Sequence, residues 1–101
     1  MLKEDKQIKL VAKLILERLS NMDKWGGAHS ELNRVGKSLP SHITATNKGK
    51  KQMDKAIKML INLGLLLTKP STGEIHVSLN PRKITEIYQF IEKNDKKEYA
   101  L

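Results

Sequence analysis

The stretch that decides the fold covers residues 50–81 and reads KKQMDKAIKMLINLGLLLTKPSTGEIHVSLNP. Apolar residues recur at helical spacing through its first half, which predicts an amphipathic helix ending at Gly64, the expected C-cap. From Ile75 to Leu79 apolar and polar residues alternate, the period of a strand with one buried face. The second half therefore predicts a tight β-hairpin over residues 65–79, with its tip at residues 69–74.

The predicted helix has two distinct faces when its residues are placed at intervals of about 100°. The face that we expect to enter the core carries Met53, Ala56, Ile57, Leu60 and Leu63. The opposite face carries lysines and one amide, Lys51, Lys55, Lys58 and Asn62, and Lys48 joins them if the helix begins early. A basic face is common on solvated helices. A basic helix followed at once by a two-stranded hairpin is, in addition, the outline of a DNA-binding module.

The start of this helix is left open by the sequence. Residues 41–49 are predicted to form a loop in which Ile43, the only large apolar residue, fills a place in the core. Either Thr44 caps a helix that tolerates Gly49 in its first turns, or the helix begins only near Lys50. With this choice open, the helix is placed at about residues 47–63.

Two further helices are predicted before this segment. The first covers about residues 5–20, and its inward face is formed by Ile8, Val11, Ala12, Ile15, Leu16 and Leu19. The second covers about residues 30–39 and is predicted to start with Ser30 as N-cap. Glu31 then stands in the first turn, where an acid suits the helix dipole, and Pro40 ends the helix.

A last helix is predicted after the hairpin, at about residues 81–93. Asn80 is its expected N-cap, and Pro81 suits the first helical position because no hydrogen bond is lost there. Its inward face should consist of four residues at helical spacing, Ile84, Ile87, Tyr88 and Ile91. The charged chain after Glu92 is expected to fray.

Composition limits the possible functions. The 101 residues suit a single domain, residues 1–101, and the formal net charge of +8 attracts polyanions such as nucleic acid or acidic lipid headgroups. No apolar run reaches the roughly 18 residues of a membrane span, and the first ten residues do not resemble a secretory signal. We therefore expect a cytoplasmic protein without a membrane partner, which is associated with the nucleoid when bound to DNA. The absence of cysteine excludes disulfides and thiolate metal sites.

Catalytic and metal chemistry are not supported by the sequence. His29, His42 and His76 are far apart and have no cysteine or carboxylate cluster at ligand spacing, so we expect no metal site. The glycines match neither dinucleotide-binding nor P-loop spacing, and no nucleophile or carboxylate pair stands out. The sequence predicts a protein that is not an enzyme and needs no cofactor.

The chain resembles the winged helix-turn-helix superfamily of small prokaryotic and archaeal transcription regulators. The resemblance spans roughly residues 8–91, and its most specific element is AIKMLINLGLL, Ala56 to Leu66, where an apolar helix end runs through a glycine into a strand. It implies a helix-helix-helix-hairpin-helix fold in which the third helix enters the DNA major groove. The hairpin would be a wing that touches the DNA backbone or minor groove. By the same resemblance, Trp25 to Ala28 is the candidate for a short extended piece that pairs with the wing.

The predicted function is double-stranded DNA binding in transcriptional regulation. Phosphate or base contacts are expected from the third helix through Lys48, Lys51, Gln52, Lys55, Lys58 and Asn62. Flanking phosphate contacts are expected from Arg34 and Lys37 on the second helix and from Lys69, Ser71 and Thr72 in the wing. The alternative is a winged-helix protein-protein interaction module within a larger assembly, whose lysine face meets an acidic partner.

A homodimer is also expected, because most such regulators are dimers. Leu10 and Leu14 lie outside the core face of the first helix, and Phe90 lies outside that of the last. Exposed apolar residues often mark interfaces, so these three residues form the predicted dimer interface. The alternative is that the first helix is buried on two sides within the monomer.

Overall fold

The computed structural model describes residues 2–71 and 73–94 of the chain. It is mainly helical with a small three-stranded antiparallel sheet, which confirms the broad class expected from the sequence. The helices are α1 (Leu2–Asn21), α2 (Leu32–Lys37), α3 (Ser41–Thr44), α4 (Asn47–Asn62) and α5 (Ile84–Lys93). The strands are β1 (Ser30–Glu31), β2 (Leu66–Ser71) and β3 (Glu74–Leu79), in the spatial order β1-β3-β2.

Helix α1 forms the centre of the core. Five of the six residues predicted for its inward face are fully buried, namely Val11, Ala12, Ile15, Leu16 and Leu19, and Ile8 packs partly buried against them. The helix contacts α2, α4, α5 and β3. Each buried aliphatic side chain of this size stabilises the fold by roughly 1.5–3 kcal/mol, so this face ties the other elements together.

The start of α2 differs from the prediction. Ser30 is not an N-cap but lies in β1, where it is buried and pairs with Val77 of β3. Glu31 takes the N-cap position without a side-chain capping bond, and the helix covers only Leu32–Lys37. The reason is that Ser30 and Glu31 both pair with β3, so the first helical residue is moved to Leu32 and the N-cap position to Glu31.

The extended piece expected at Trp25 to Ala28 pairs with the hairpin only at its start. Trp25 forms an isolated parallel bridge with Leu79, in which Lys24 accepts from and Gly26 donates to the backbone of Leu79. The regular strand of this region lies further on, at β1. A segment that pairs with the hairpin was therefore predicted correctly, but its position in the chain was not.

The segment before α4 is more helical than the predicted loop. Residues Ser41–Thr44 form the short helix α3, and Ile43 is buried in the core as expected. Helix α4 begins at Asn47, and its N-cap is Thr46, whose hydroxyl oxygen accepts a hydrogen bond from the Gly49 amide at 2.9 Å. The early start is therefore correct, although neither Thr44 nor Lys50 marks it.

The end of α4 follows the sequence closely. Gly64 has a φ of +76°, and its amide donates to the carbonyl of Ile61. The amide of Leu65 reaches back to the carbonyl of Leu60, so the two bonds form a complete Schellman motif. The chain leaves this motif directly into β2, which fixes the position of the hairpin relative to α4.

The hairpin has one face against the core over part of its length. Leu66, Val77 and Leu79 are buried on that face, whereas Ile75 is exposed although it has the same parity in the strand. The prediction that Ile75 lies inward was wrong, because Ile75 stands near the tip of the hairpin, away from the base where Leu66 and Leu79 are buried.

The entry to α5 is as expected, but its inward face is rotated. Asn80 caps a 3-10 turn, Pro81–Lys83, that precedes the helix. Ile87 is buried, and Phe90 and Ile91 pack partly buried on the core, while Ile84 and Tyr88 are about half exposed. Tyr88 lies at the rim because its hydroxyl is 3.0 Å from Ser20 Oγ and its ring packs on Trp25. The wholly apolar Phe90 takes the inner position instead.

Candidate nucleic-acid interface

The outer face of α4 is basic and exposed to water. The predicted cations on this face are all exposed, namely Lys48, Lys51, Lys55 and Lys58, and so is Asn62. The opposite face packs into the core through Ala56, Ile57 and Leu60, with Met53 and Met59 partly buried beside them. This orientation leaves the lysine amines accessible to a ligand from solvent.

Gln52 does not belong to this face. Only 8% of the residue is exposed, so it cannot reach the edge of a base as the sequence suggested. Gln52 lies on the same flank of α4 as Gly49, against which the backbone of α3 packs. The sequence does not reveal this cover, because the pattern of residues 41–49 predicts a loop.

Two exposed residues near the start of α4 were not among the predicted contacts. Asn47 is the first residue of the helix, and its side chain is exposed in the half that reaches DNA bases in helix-turn-helix proteins. Lys50 is exposed on the side that faces α2. The sequence leaves the start of this helix open, so it does not assign either residue to a face of the helix.

Helix α2 lies beside α4 across a shallow depression of about 660 Å³. The two helices come close at Gly36, where a Cβ would stand 2.8 Å from the terminal methyl carbon of Met53. Arg34 and Lys37 of α2 are exposed, and Lys37 and Lys50 line the depression together with Glu31 and Asp54. Of the two predicted cations of α2, Lys37 thus lies in a depression next to α4 that two acids also line.

The predicted contacts of the hairpin are described only in part. Lys69 is exposed on β2, opposite His76 of β3, on the sheet face that also carries Glu31. Thr72 lies outside the described residues, and so does the side chain of Ser71.

The histidines are not all separate, as the sequence had suggested. The Nδ1 atoms of His29 and His76 are 2.8 Å apart, and the two rings are nearly perpendicular at 82°. Partial burial, followed by the His76 imidazole and the ammonium groups of Lys69 and Lys24, lowers the pKa of His29 below its usual value. Sequence separation concealed this pair, because β1 and β3 pair across 47 residues of chain.

The predicted dimer interface is largely covered by the protein itself. Leu14 and Phe90 pack against the core, and Leu10 is also partly buried. Among the residues whose burial the structure describes, the exposed large apolar side chains lie elsewhere, at Ile61, Leu63, Leu67, Ile75, Ile84 and Tyr88. Leu14 and Phe90 therefore offer less apolar surface than the sequence predicts, because each packs partly on its own domain.

Comparisons with family models, with curated proteins and with solved structures found no match to this chain. Within the described residues, no helix is both long and apolar enough to cross a membrane. What the protein binds is therefore inferred from its own fold and surface.

Proposed function

We propose that this protein is a winged-helix domain that binds double-stranded DNA and acts in transcriptional regulation. The observation that carries the proposal is the exposed basic face of α4, which runs through the Gly64 cap directly into the β2–β3 hairpin. The order of helices, with β1 pairing on the hairpin, supports the assignment of the hairpin as a wing. A helix followed by a wing is a geometry in which the helix enters the major groove.

The dimensions and charge of α4 suit this role. Its 16 residues extend about 24 Å, and the major groove admits a helix of ordinary diameter. Five lysines and one aspartate stand on it, so its outer face attracts phosphates along the groove. Arg34 and Lys37 of the neighbouring α2 would contact flanking phosphates, and Lys69 would contact the backbone from the wing.

Base recognition is assigned to Asn47 in place of the buried Gln52. Asn47 is exposed at the N-terminal end of α4, the end that reaches base edges in helix-turn-helix proteins. An asparagine amide can pair with the donor and acceptor of an adenine edge in the major groove. Asn62, at the other end of the helix, is better placed for the backbone.

A second candidate is a protein-interaction module, favoured by the exposed apolar side chains. Leu63 is 51% exposed and lines a shallow groove of about 280 Å³ with Leu65 and Phe90. Ile84 and Tyr88 form another exposed apolar pair on α5. Either surface could meet a protein partner, whereas the lysine face of α4 would then meet an acidic one.

The experiment that separates the two candidates is a salt titration of binding to a DNA duplex with charge-matched variants. Replacing Lys51, Lys55 and Lys58 together by alanine should weaken binding to all sequences and lower the salt slope by up to about three units. The control removes the same charge from exposed positions off α4, at Lys9, Arg82 and Lys93.

The control variant should lose much less affinity and slope than the α4 variant, and circular dichroism should show that both remain folded. Equal losses in the two variants would show that binding depends only on net charge, which would contradict the assignment of α4 as the DNA-binding helix. A wild-type Kd weaker than about 10⁻⁴ M at low salt would contradict DNA binding altogether, since non-specific binders already reach that range.

A further inference from the structure

Two imidazoles face each other where the chain before β1 meets the hairpin. His29 directly precedes β1, and His76 stands in β3 opposite Glu31. Their Nδ1 atoms are 2.8 Å apart and both side chains are partly buried, with ring centroids separated by 4.6 Å. The sheet register therefore brings two nitrogen ligands together from distant parts of the chain.

The protonation of the pair can be assigned from its neighbours. The Nε2 atom of His76 is 3.7 Å from Glu74 Oε2, which favours a proton on that nitrogen. The Nδ1 atom of a neutral His76 then carries a lone pair, so His29 donates its Nδ1–H to it. One lone pair already points into the space between the rings, and a change of tautomer at His29 would supply the second.

We propose that His29 and His76 form a binding site for a divalent transition-metal ion, with Cu²⁺ and Ni²⁺ preferred. With each nitrogen about 2.05 Å from the ion, a nitrogen separation kept at the 2.8 Å of the hydrogen-bonded pair corresponds to an N–metal–N angle of about 86°. This is close to the right angle between neighbouring ligands in the tetragonal sites of Cu²⁺ and Ni²⁺. A tetrahedral Zn²⁺ site would require the nitrogens to separate to about 3.3 Å.

Binding leaves the proton count of a neutral pair unchanged. The Nδ1 proton of His29 moves to its Nε2 atom through solvent, and both Nδ1 lone pairs then bind the ion. The rings turn so that both lone pairs converge on the ion, and water fills the remaining coordination positions. Glu74 lies 3.7 Å from the Nε2 atom of His76, on the side where carboxylates orient metal-binding histidines.

The surroundings set a limit on affinity. Lys24 and Lys69 lie close enough to lower the pKa of His29, and they repel a cation, while Glu31 and Glu74 on the same sheet face attract it. No group of three or more metal-binding side chains occurs among the residues that the structure describes. The site therefore has two protein ligands, and the bound ion would join the segment before β1 to the hairpin.

The test is calorimetric titration of the full-length protein, without an affinity tag, with Cu²⁺, Ni²⁺ and Zn²⁺. We expect one ion per chain, a saturable rise in Tm, and Ni²⁺ binding at least as tightly as Zn²⁺. His29→Gln and His76→Gln should each weaken Cu²⁺ and Ni²⁺ binding at least tenfold. His42→Gln, at an exposed histidine of α3, should leave it unchanged.

Paramagnetic resonance of the Cu²⁺ form gives an independent readout, because two coordinated imidazoles split the signal. Failure of the wild type to bind Cu²⁺ or Ni²⁺ overturns the proposal without any variant, as does equal weakening by His42→Gln and His29→Gln. Tighter binding of Zn²⁺ than of Ni²⁺ would contradict the right-angle geometry.

Discussion

At the scale of the residue, close backbone contact explains a glycine in the first turn of α4. A Cβ on Gly49 would overlap the carbonyl oxygen of Ile43, and this neighbour is backbone that cannot rotate away. The glycine therefore allows α3 to pack against α4, which in turn covers Gln52. Glycine is poor for helix stability, but here its small size outweighs that cost.

Gly49→Ala should consequently destabilise the protein by about 2 kcal/mol or more, since inserted atoms in a tight contact force the backbone apart. The measurement is the midpoint of urea unfolding. Gly27→Ala is the control, because its Cβ would meet nothing within 4 Å, and its midpoint should barely change. A Gly49→Ala variant as stable as the wild type would show that α3 does not pack on α4 in this way.

Gly73, at the tip of the hairpin, is required by conformation rather than by space. Its φ is +73°, and a Cβ there would meet no atom within 4 Å. Gly73→Val should therefore cost roughly 1 kcal/mol or more through backbone strain alone. Gly73→Asn should cost less in the same unfolding experiment, because asparagine tolerates this region. Equal stability of the valine variant and the wild type would show that the tip is not held in this conformation.

At the scale of the element, the sequence pattern predicted the features that depend on residues close together in the chain. The periods of α1 and α4, the Gly64 cap and the hairpin followed from spacing and turn residues alone. The predictions failed where a residue distant in the sequence determines the structure. Ser30, predicted as a helix N-cap, pairs instead with Val77. The His29–His76 pair could not be predicted for the same reason, since it depends on sheet register.

Asn80 offers a test of how the elements are joined. Its side chain accepts from the amide of Arg82 and donates to the carbonyl of Gly64, so it ties the end of α4 to the start of the last helix. Asn80→Ala should lower the free energy of unfolding by about 1–2 kcal/mol. Asn80→Asp keeps the acceptor and loses the donor. In thermal unfolding, its stability should therefore fall between those of the wild type and Asn80→Ala. No difference between alanine and aspartate would show that the cap does not contribute.

At the scale of the whole molecule, the basic and the apolar surfaces make different predictions about partners. The lysine face of α4 predicts DNA, whereas Leu63 and the Ile84–Tyr88 pair predict a protein surface. The homodimer and its interface stay a prediction, and the partial burial of Leu14 and Phe90 reduces the apolar surface on which it rests. The sequence found the lysine face because helical periodicity is local, and it misplaced the apolar surface because the rotation of α5 depends on packing.

The central claim is tested most directly by nuclear magnetic resonance of the labelled protein during titration with a short DNA duplex at low salt. The largest shifts of backbone amides should occur along α4 from Asn47 to Lys58, with smaller shifts at Arg34, Lys37 and Lys69. Residues on the buried face of α1, such as Val11 and Ile15, should not respond, because they lie in the core. Shifts confined to Leu63, Ile84 and Tyr88, or no shifts at duplex concentrations near 10⁻⁴ M, would contradict DNA binding through α4.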